Sequence, residues 1–173
     1  VIIGERINPT GKKRLTAALQ KGDLTLVREE ALAQVAAGAD VIDVNVGVAG
    51  VNEVELLPQA VRTVVEAVDT PINVDTANPQ ALAAALEELH RLIPEAQPLI
   101  NSVNGKEDSL QQVLPLVKQY GATVIALCMD SEGIPSTAEK RLQVAHSITG
   151  RAEEQGIPRE NVVVDCLALT VGA

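Results

Sequence analysis

The chain has 173 residues, of which 46% are apolar and 21% charged, and its net charge is −9. The acidic balance and the single aromatic residue, Tyr120, argue against nucleic-acid binding, which needs basic surfaces and side chains that stack on bases. No apolar run approaches the roughly 18 residues of a membrane span, so the sequence predicts a cytoplasmic globular protein that binds neither nucleic acid nor membrane.

Six short runs rich in β-branched residues recur along the chain and predict β-strands. The runs are almost continuously apolar, a pattern typical of parallel strands that are buried on both faces. They cover residues 1–3, 40–46, 71–75, 98–101, 123–130 and 161–169.

Segments with helical spacing of apolar residues lie between these runs. Asn78 followed by Pro79 is typical of a helix start, and Pro58 marks either the start or a kink of an earlier helix. Gly38 and Gly156 are typical of helix ends. The predicted helices cover residues 24–39, 52–68, 78–93, 106–122 and 136–156.

The alternation of strands and helices predicts a parallel α/β fold, either a (β/α)8 barrel or a doubly wound sheet. Two details favour the barrel: no G-x-G-x-x-G or Walker sequence follows a strand, and polar residues end nearly every strand, as expected where strand ends meet at one mouth. We therefore predict a TIM (β/α)8 barrel of which residues 1–173 hold about six βα units, as a single domain without the C-terminal two. The polar residues are Glu5, Asp43, Asn45, Asp75, Asn101, Asp130 and Asp165.

The remaining chemistry-bearing residues have structural explanations. Cys128 and Cys166 lie in apolar runs without the close Cys or His spacing of a metal site, so we predict buried free thiols and no metal centre. Residues 12–14, Lys-Lys-Arg, form the one basic cluster; we predict solvated surface, with an anion site as the alternative.

Asp75, Asn101 and Asp165 stand at matching positions of three predicted strands. Singly, Asp75 and Asn101 fit turn sequences, and Asp165 is tolerated in an apolar strand if it is solvated or hydrogen-bonded. Together they predict one pocket, in which carboxylates accept N–H groups and an amide both donates and accepts. Such a pocket suits a flat, amide-rich and guanidine-like ring. The sequence shows no His pair and no Ser nucleophile motif, which argues against acyl transfer and metal-dependent hydrolysis.

Segments along essentially the whole chain resemble the pterin-binding TIM barrels. Within that group the sequence is most similar to the methyltetrahydrofolate:corrinoid-protein methyltransferases, including the folate module of cobalamin-dependent methionine synthase. The sister family, the dihydropteroate synthases, would show Asn-x-Thr-Pro-Asp after the first strand and a His after the Met of the fifth, where this chain has Glu5-Arg6-Ile7-Asn8 and Met129-Asp130. The segments that carry the resemblance are GERIN, GADVIDVNVG, NVDTANP, PLINSVNG, MDSEGIP and VVVDCLALTV.

The resemblance implies roles for particular residues. Asp75, Asn101 and Asp165 match the family's pterin ligands, and we expect them to bind and orient the substrate for catalysis. A further Asn of the methyltransferases, after the seventh strand, has no counterpart in this chain. The other substrate-binding residues that we expect border the ring, lie in a loop over it or flank the pocket: Asp43, Asn45, Met129, Asp130, Gly133, Glu5 and Asn8.

The resemblance also implies a reaction. The methyl group of 5-methyltetrahydrofolate passes to cobalt(I) of a corrinoid protein, so the folate is the substrate and the cobalamin belongs to the partner protein or module. The leaving nitrogen must gain positive character, for which we expect a network of Asp, Asn and water rather than one strong acid. The alternatives are a dihydropteroate-synthase-like condensation and a folate-binding module of a larger cobalamin-dependent enzyme. The resemblance also allows a homodimer.

Overall fold

The computed structural model describes residues 1–168, so the end of the strand predicted over 161–169 lies outside the described residues. The chain divides into two compact units, Val1–Leu99 and Ile100–Ala173. Strands and helices alternate as predicted, and no helix among residues 1–168 is long and apolar enough to cross a membrane. The elements of the first unit are β1 (Ile3–Ile7), α1 (Lys13–Leu19), α2 (Thr25–Ala36), β2 (Val41–Val44), α3 (Glu53–Val65), β3 (Ile72–Asp75) and α4 (Pro79–Leu92).

The first unit has a parallel sheet in the order β1-β2-β3. Strands β2 and β3 pair in simple register, with Ile42 opposite Ile72 and Val44 opposite Val74. These side chains are at most 3% exposed, as expected for strands covered on both faces. Helices α3 and α4 pack against each other. Asn78 caps α4 as predicted, and its side chain accepts hydrogen bonds from the first turn.

The prediction for β1 was wrong in position. Val1 and Ile2 are exposed, and the strand instead includes Glu5 and Arg6, where the pairing with β2 contains an irregularity between Gly4 and Ile7. The side chains of Glu5 and Arg6 are exposed, so their charges are tolerated there. The Gln34 Oε1 of α2 accepts from the Arg6 backbone N–H at 2.6 Å. A Cβ at Gly4 would come within 2.6 Å of the same oxygen, so a larger residue there would displace the Gln34 side chain from the Arg6 N–H.

One helix was not predicted, and of the two alternatives for Pro58 the structure excludes a helix start. The basic cluster at residues 12–14 runs into α1, a short helix that was not predicted, and the Lys12 ammonium donates to the carbonyls of Glu5 and Arg6 at 3.1 and 2.8 Å. Lys12 therefore holds the end of β1 and is not simply solvated. Pro58 lies inside α3, which begins at Glu53 after an Asn52 cap.

The second unit contains parallel strands in the order β4-β5-β6, with Val124 of β5 opposite Val162 of β6. The prediction that every strand is buried on both faces fails at β6, whose Val163 and Val164 are 50% and 43% exposed. Adjacent strand residues point to opposite faces, so both faces of β6 are partly exposed; its main neighbours among the described residues are β5 and α6. Cys128 is buried as predicted, whereas the prediction is wrong for Cys166, which directly follows β6 and is exposed. The elements are β4 (Leu99–Asn104), α5 (Glu107–Gln119), β5 (Thr123–Leu127), α6 (Ala138–Glu154), a 3-10 helix (Arg159–Asn161) and β6 (Val162–Asp165).

An ion-pair cluster joins α3 to α4. The Glu88 carboxylate accepts from Arg91 at 2.9 Å and from Arg62 at 2.6 Å, and the Glu88 side chain is only 11% exposed. The hydrogen bonds from Arg91 and then Arg62 lower the pKa of Glu88 from 4.5 to about 2. The ionised form is therefore favoured in the folded protein.

Replacing Glu88 with Gln is expected to lower the free energy of unfolding at pH 7 by about 1 kcal/mol. Because the folded-state pKa lies below the ordinary value, this contribution is present above pH 4.5 and is lost as the pH falls towards 2. Urea denaturation followed by circular dichroism at pH 7 and pH 3 measures both values. The exposed neighbour Glu87 provides a matched control, Glu87→Gln. Equal effects of the two variants at pH 7 would contradict the prediction.

Candidate functional site

A buried carboxylate and amide face each other across β2 and β3. Asp43 and Asn73 are register partners, and the Asn73 Nδ2 donates to the Asp43 Oδ1 at 2.6 Å. Both residues are 1% exposed. A buried carboxylate is costly unless it accepts hydrogen bonds, and this pair supplies one directly from the neighbouring strand. Asp43 was predicted to border or order the site, whereas its partner Asn73 was not singled out.

A second pair of the same chemistry lies two residues further along both strands. The Asn45 Nδ2 donates to the Asp75 Oδ2 at 2.9 Å, and both residues are half-buried. The Asn45 Oδ1 in turn accepts from the Gly47 backbone N–H at 2.8 Å. This second bond fixes the orientation of the amide, so its N–H points to the carboxylate. The structure thus brings together two of the predicted site residues.

The environment of Asp75 acts on its ionisation in two opposite ways. Burial is the main cause that raises its pKa, and the charges of Glu5 and Glu53 raise it further, while the hydrogen bond from Asn45 opposes these effects. An ionised Asp75 is therefore short of donors in the first unit. Its free acceptor capacity suits a ligand that presents N–H groups.

Glu53 is a site residue that the sequence did not reveal. It is the first residue of α3, and its Oε2 accepts from the Thr76 hydroxyl at 2.6 Å. Thr76 is buried, and its oxygen also accepts from the Asn78 backbone N–H at 3.1 Å. This chain of bonds ties the start of α3 to the turn that follows Asp75. The turn chemistry of 75–79 was visible in the sequence, but the partner 23 residues earlier was not.

The remaining predicted residues of the first unit are Glu5 and Asn8. Glu5 is exposed, and its charge is near enough to Asp75 to raise the pKa of that carboxyl. Asn8 accepts from the Thr10 backbone N–H at 3.0 Å, which gives it a turn-forming role. Arg6 pairs with Glu30 of α2 at 3.4 Å.

In the second unit, Asn101 lies half-buried on β4, and its peptide bond to Ser102 is cis. Asp130 and Gly133 exchange backbone hydrogen bonds at 3.0 and 3.1 Å and close a tight turn after β5. Gly133 has a φ of 104°, a conformation that favours glycine. The carbonyl of Met129 accepts from the Gly105 N–H at 2.8 Å, which ties this turn to the end of β4.

Asp165 is the last residue of β6 and is exposed. Its Oδ1 accepts from the Leu167 backbone N–H at 2.7 Å, and its carbonyl accepts from the Cys128 N–H at 2.9 Å. Leu167 has a φ of 55°, which is unusual for a residue with a branched side chain. The carboxylate is thus hydrogen-bonded within a local turn and is solvated. Solvation or hydrogen bonding is what we predicted for a carboxylate at the end of an apolar strand.

The candidate site residues offer hydrogen-bonding groups to a ligand. Within residues 1–168, no group of three or more His, Cys, Asp or Glu side chains is arranged to hold a metal ion. The first unit offers a carboxylate that is oriented by an amide, and the second offers a carboxylate oriented by its own backbone. Both are suited to bind and orient a donor-rich ligand.

Comparison with known proteins identifies relatives of the chain. Residues 4–173 match the model of the family described as pterin binding enzyme. The chain is 32% identical over 170 residues to a methylcorrinoid:tetrahydrofolate methyltransferase of Eubacterium limosum, with 95% of this chain and 59% of the relative covered. It is 30% identical to the methionine synthase of Mycobacterium leprae, with 99% of this chain and 14% of the relative covered. The chain therefore spans well under two thirds of these relatives.

Solved structures show the same fold. A dihydropteroate synthase of Yersinia pestis with a pterine-sulfa conjugate is 19% identical with a TM-score of 0.62, over 99% of this chain and 60% of that one. A dihydropteroate synthase of Xanthomonas albilineans in complex with 7,8-dihydropteroate is 22% identical with a TM-score of 0.58, over 95% of this chain and 57% of that one. At these identities the likeness concerns the fold alone. It confirms the predicted α/β fold of the TIM-barrel type. The match of the family model over residues 4–173 shows that the chain belongs to the pterin-binding enzyme family.

Proposed function

We propose that this chain binds 5-methyltetrahydrofolate and acts in methyl transfer between the folate and a corrinoid protein. The observation that supports this most directly is the Asp75 carboxylate, which Asn45 orients and whose pKa burial raises. A pterin ring presents an N–H edge of the kind that such a carboxylate accepts. The names of the two sequence relatives, one of which is a methylcorrinoid:tetrahydrofolate methyltransferase, support the choice of reaction.

Asp75, Asn101 and Asp165 are proposed as pterin ligands, each on the resemblance and on its own local geometry. Asp75 would accept N–H groups of the ring, and its negative charge would become better compensated when it does so. Asn101 would both donate and accept, and Asp165, held by the Leu167 N–H, would offer a second oriented carboxylate. Asp43, Asn45, Met129, Asp130, Gly133, Glu5 and Asn8 are proposed to border the ligand or order these groups.

The chain's contribution to the reaction is binding, orientation and electrostatic stabilisation. The corrinoid, held by a partner protein or module, would supply the cobalt centre that exchanges the methyl group. When the methyl group leaves, the nitrogen keeps the bonding electron pair, so it must take up a proton from water to depart as a neutral amine. The protonated nitrogen carries a positive charge until its bond to carbon breaks. Ionised carboxylates near the ring favour that charge, each contributing at most a few kcal/mol. No single strong acid is needed in this proposal.

The direction of transfer distinguishes two versions of the proposal. We expect transfer from the folate to the corrinoid, whereas the name of the Eubacterium limosum relative gives methylcorrinoid as the donor and tetrahydrofolate as the acceptor. One site serves both directions, because a transition state is the same from either side. A dihydropteroate-synthase-like condensation has less support, since the synthases resemble this chain in fold at 19–22% identity.

The direct test mixes the protein with 5-methyltetrahydrofolate and cob(I)alamin, or with tetrahydrofolate and methylcobalamin. We expect the corrinoid spectrum to change in the presence of the protein, at a rate that rises with protein concentration. Calorimetric titration with 5-methyltetrahydrofolate alone separates binding from turnover. If the protein binds no folate at all, the proposal is wrong. Binding without turnover would favour a folate-binding module.

Replacing Asp75 with Asn is expected to weaken the binding of 5-methyltetrahydrofolate by about 2 kcal/mol, because a neutral amide replaces a charged acceptor. Wild-type affinity should also fall at low pH, as Asp75 becomes protonated through its raised pKa. The pH dependence should be absent or much reduced in Asp75→Asn. Asp69→Asn, at an exposed position of the same unit, provides the control and should bind like the wild type.

The same variant is expected to be more stable than the wild type at pH 7. Burial and the charges of Glu5 and Glu53 raise the pKa of Asp75, so its ionised form costs folding free energy above that pKa. The cost disappears as the pH falls and the wild type takes up the proton. Thermal unfolding should therefore show a higher Tm for Asp75→Asn at pH 7 and a smaller difference in acid. A lower Tm at pH 7 would contradict the electrostatic account of this carboxyl.

A further inference from the structure

Arg141 of α6 binds the backbone of two different loops with one side chain. Its Nε donates to the Pro135 carbonyl at 2.7 Å, in the loop between β5 and α6. Its Nη1 donates to the carbonyls of Cys166 and Leu167 at 2.8 and 3.0 Å, in the segment after β6. The side chain is half-buried, and all of these residues belong to the second unit. Nothing in the sequence singles out Arg141.

Leu167 connects Arg141 to the proposed pterin ligand Asp165. The Leu167 carbonyl accepts from Arg141, while the Leu167 N–H donates to the Asp165 carboxylate at 2.7 Å. Leu167 adopts a φ of 55°, which an L-residue rarely takes without support from its surroundings. Two hydrogen bonds from the guanidinium to this turn are such support. Without them, the N–H that orients the carboxylate is no longer held in place.

The contact with Pro135 reaches the other loop. That loop contains the tight turn between Asp130 and Gly133, which follows Met129 and is proposed to lie beside the ring. The same guanidinium therefore fixes the spacing between this loop and the segment that carries Asp165. Because a guanidinium is planar and rigid, its donors set the relative positions of the carbonyls; an ammonium group has no such plane.

We infer that Arg141 is a positioning residue for pterin binding, which acts by holding the Asp165 turn and the loop after β5 in one fixed arrangement. This inference rests on the proposed function, since it concerns how the proposed ligand is held. Arg141 itself is not proposed to touch the substrate. Its effect on the substrate passes through Leu167 and Asp165.

Arg151 on the same helix offers a matched control. It donates from Nη1 and Nη2 to the Glu107 carboxylate at 2.8 and 2.9 Å and lowers the pKa of Glu107 to about 2. It is thus an equally engaged arginine whose partner is a side chain of α5 and not the loops. Loss of either arginine perturbs α6, but only loss of Arg141 should perturb the Asp165 turn.

The experiment measures binding of 5-methyltetrahydrofolate by calorimetry for the wild type, Arg141→Ala, Arg141→Lys and Arg151→Ala. We expect about tenfold weaker binding for both Arg141 variants, the size of effect typical when an orienting partner of a ligating group is lost. Arg151→Ala should bind like the wild type. Millimolar guanidinium chloride should restore binding to Arg141→Ala and leave Arg151→Ala unchanged. Arg141→Lys keeps the positive charge and a long side chain, so it provides the test if Arg141→Ala does not fold.

Hydrogen exchange of the Leu167 amide gives a second readout that needs no folate. It should be faster in both Arg141 variants than in the wild type and unchanged in Arg151→Ala. Wild-type-like binding by the Arg141 variants, with a wild type that binds folate, would overturn the inference and leave the proposed function intact. If the wild type binds no folate, the proposed function is wrong and the role in pterin binding falls with it. In that case the hydrogen-exchange rate of the Leu167 amide alone tests whether Arg141 holds the turn. An unchanged exchange rate in the Arg141 variants would show that it does not.

Discussion

The two hydrogen bonds between carboxylate and amide across β2 and β3 are the constraint on which the first unit depends. Asp43 pairs with Asn73 in the buried layer, and Asn45 pairs with Asp75 two residues further along the same strands. The chemistry is reversed between the strands, since β2 supplies Asp and then Asn while β3 supplies Asn and then Asp. A shift of register by one residue would break both pairs and leave the buried Asp43 and Asn73 opposite apolar residues. The pairing of these two strands and the geometry of the site are therefore one feature.

The buried layer and the half-buried layer have different consequences. Deep in the unit, the Asp43 carboxylate receives a short hydrogen bond from Asn73 and lies among apolar side chains. In the outer layer, the single amide of Asn45 opposes burial and the charges of Glu5 and Glu53 without cancelling them, so the pKa of Asp75 remains raised. A carboxylate whose charge is not fully balanced by hydrogen bonds in the free protein can gain further stabilisation when a ligand donates hydrogen bonds to it. Cost to folding and capacity for binding thus have the same physical origin at this residue.

The sequence predicted those parts of the structure that follow from periodicity and local turn chemistry. Long apolar runs and helix caps such as Asn78 placed most elements within a few residues. The prediction failed at β1, because the strand continues through Glu5 and Arg6, whose exposed charged side chains interrupt the apolar pattern on which the prediction rested. It failed again at β6, where an apolar composition alone cannot show which faces of a strand its neighbours cover. In the site, Asp43, Asn45 and Asp75 were found as polar residues in or after apolar strands, whereas Glu53 and Asn73 depend on partners 23 and 30 residues away.

Arg141 illustrates the limit of sequence reasoning most clearly. It lies on the helix predicted over 136–156, where an arginine is ordinary and suggests a solvated surface. Its partners are backbone carbonyls, which every residue possesses, and two of them lie 25 and 26 residues away. The residue types at positions 135, 166 and 167 do not indicate that a guanidinium binds to their carbonyls. The carboxylate of Asp165 is recognisable in the sequence because its own chemistry is unusual in a strand. The group that holds its turn becomes visible only when the fold brings the helix and both loops together, so positioning residues of this kind have to be found from structure.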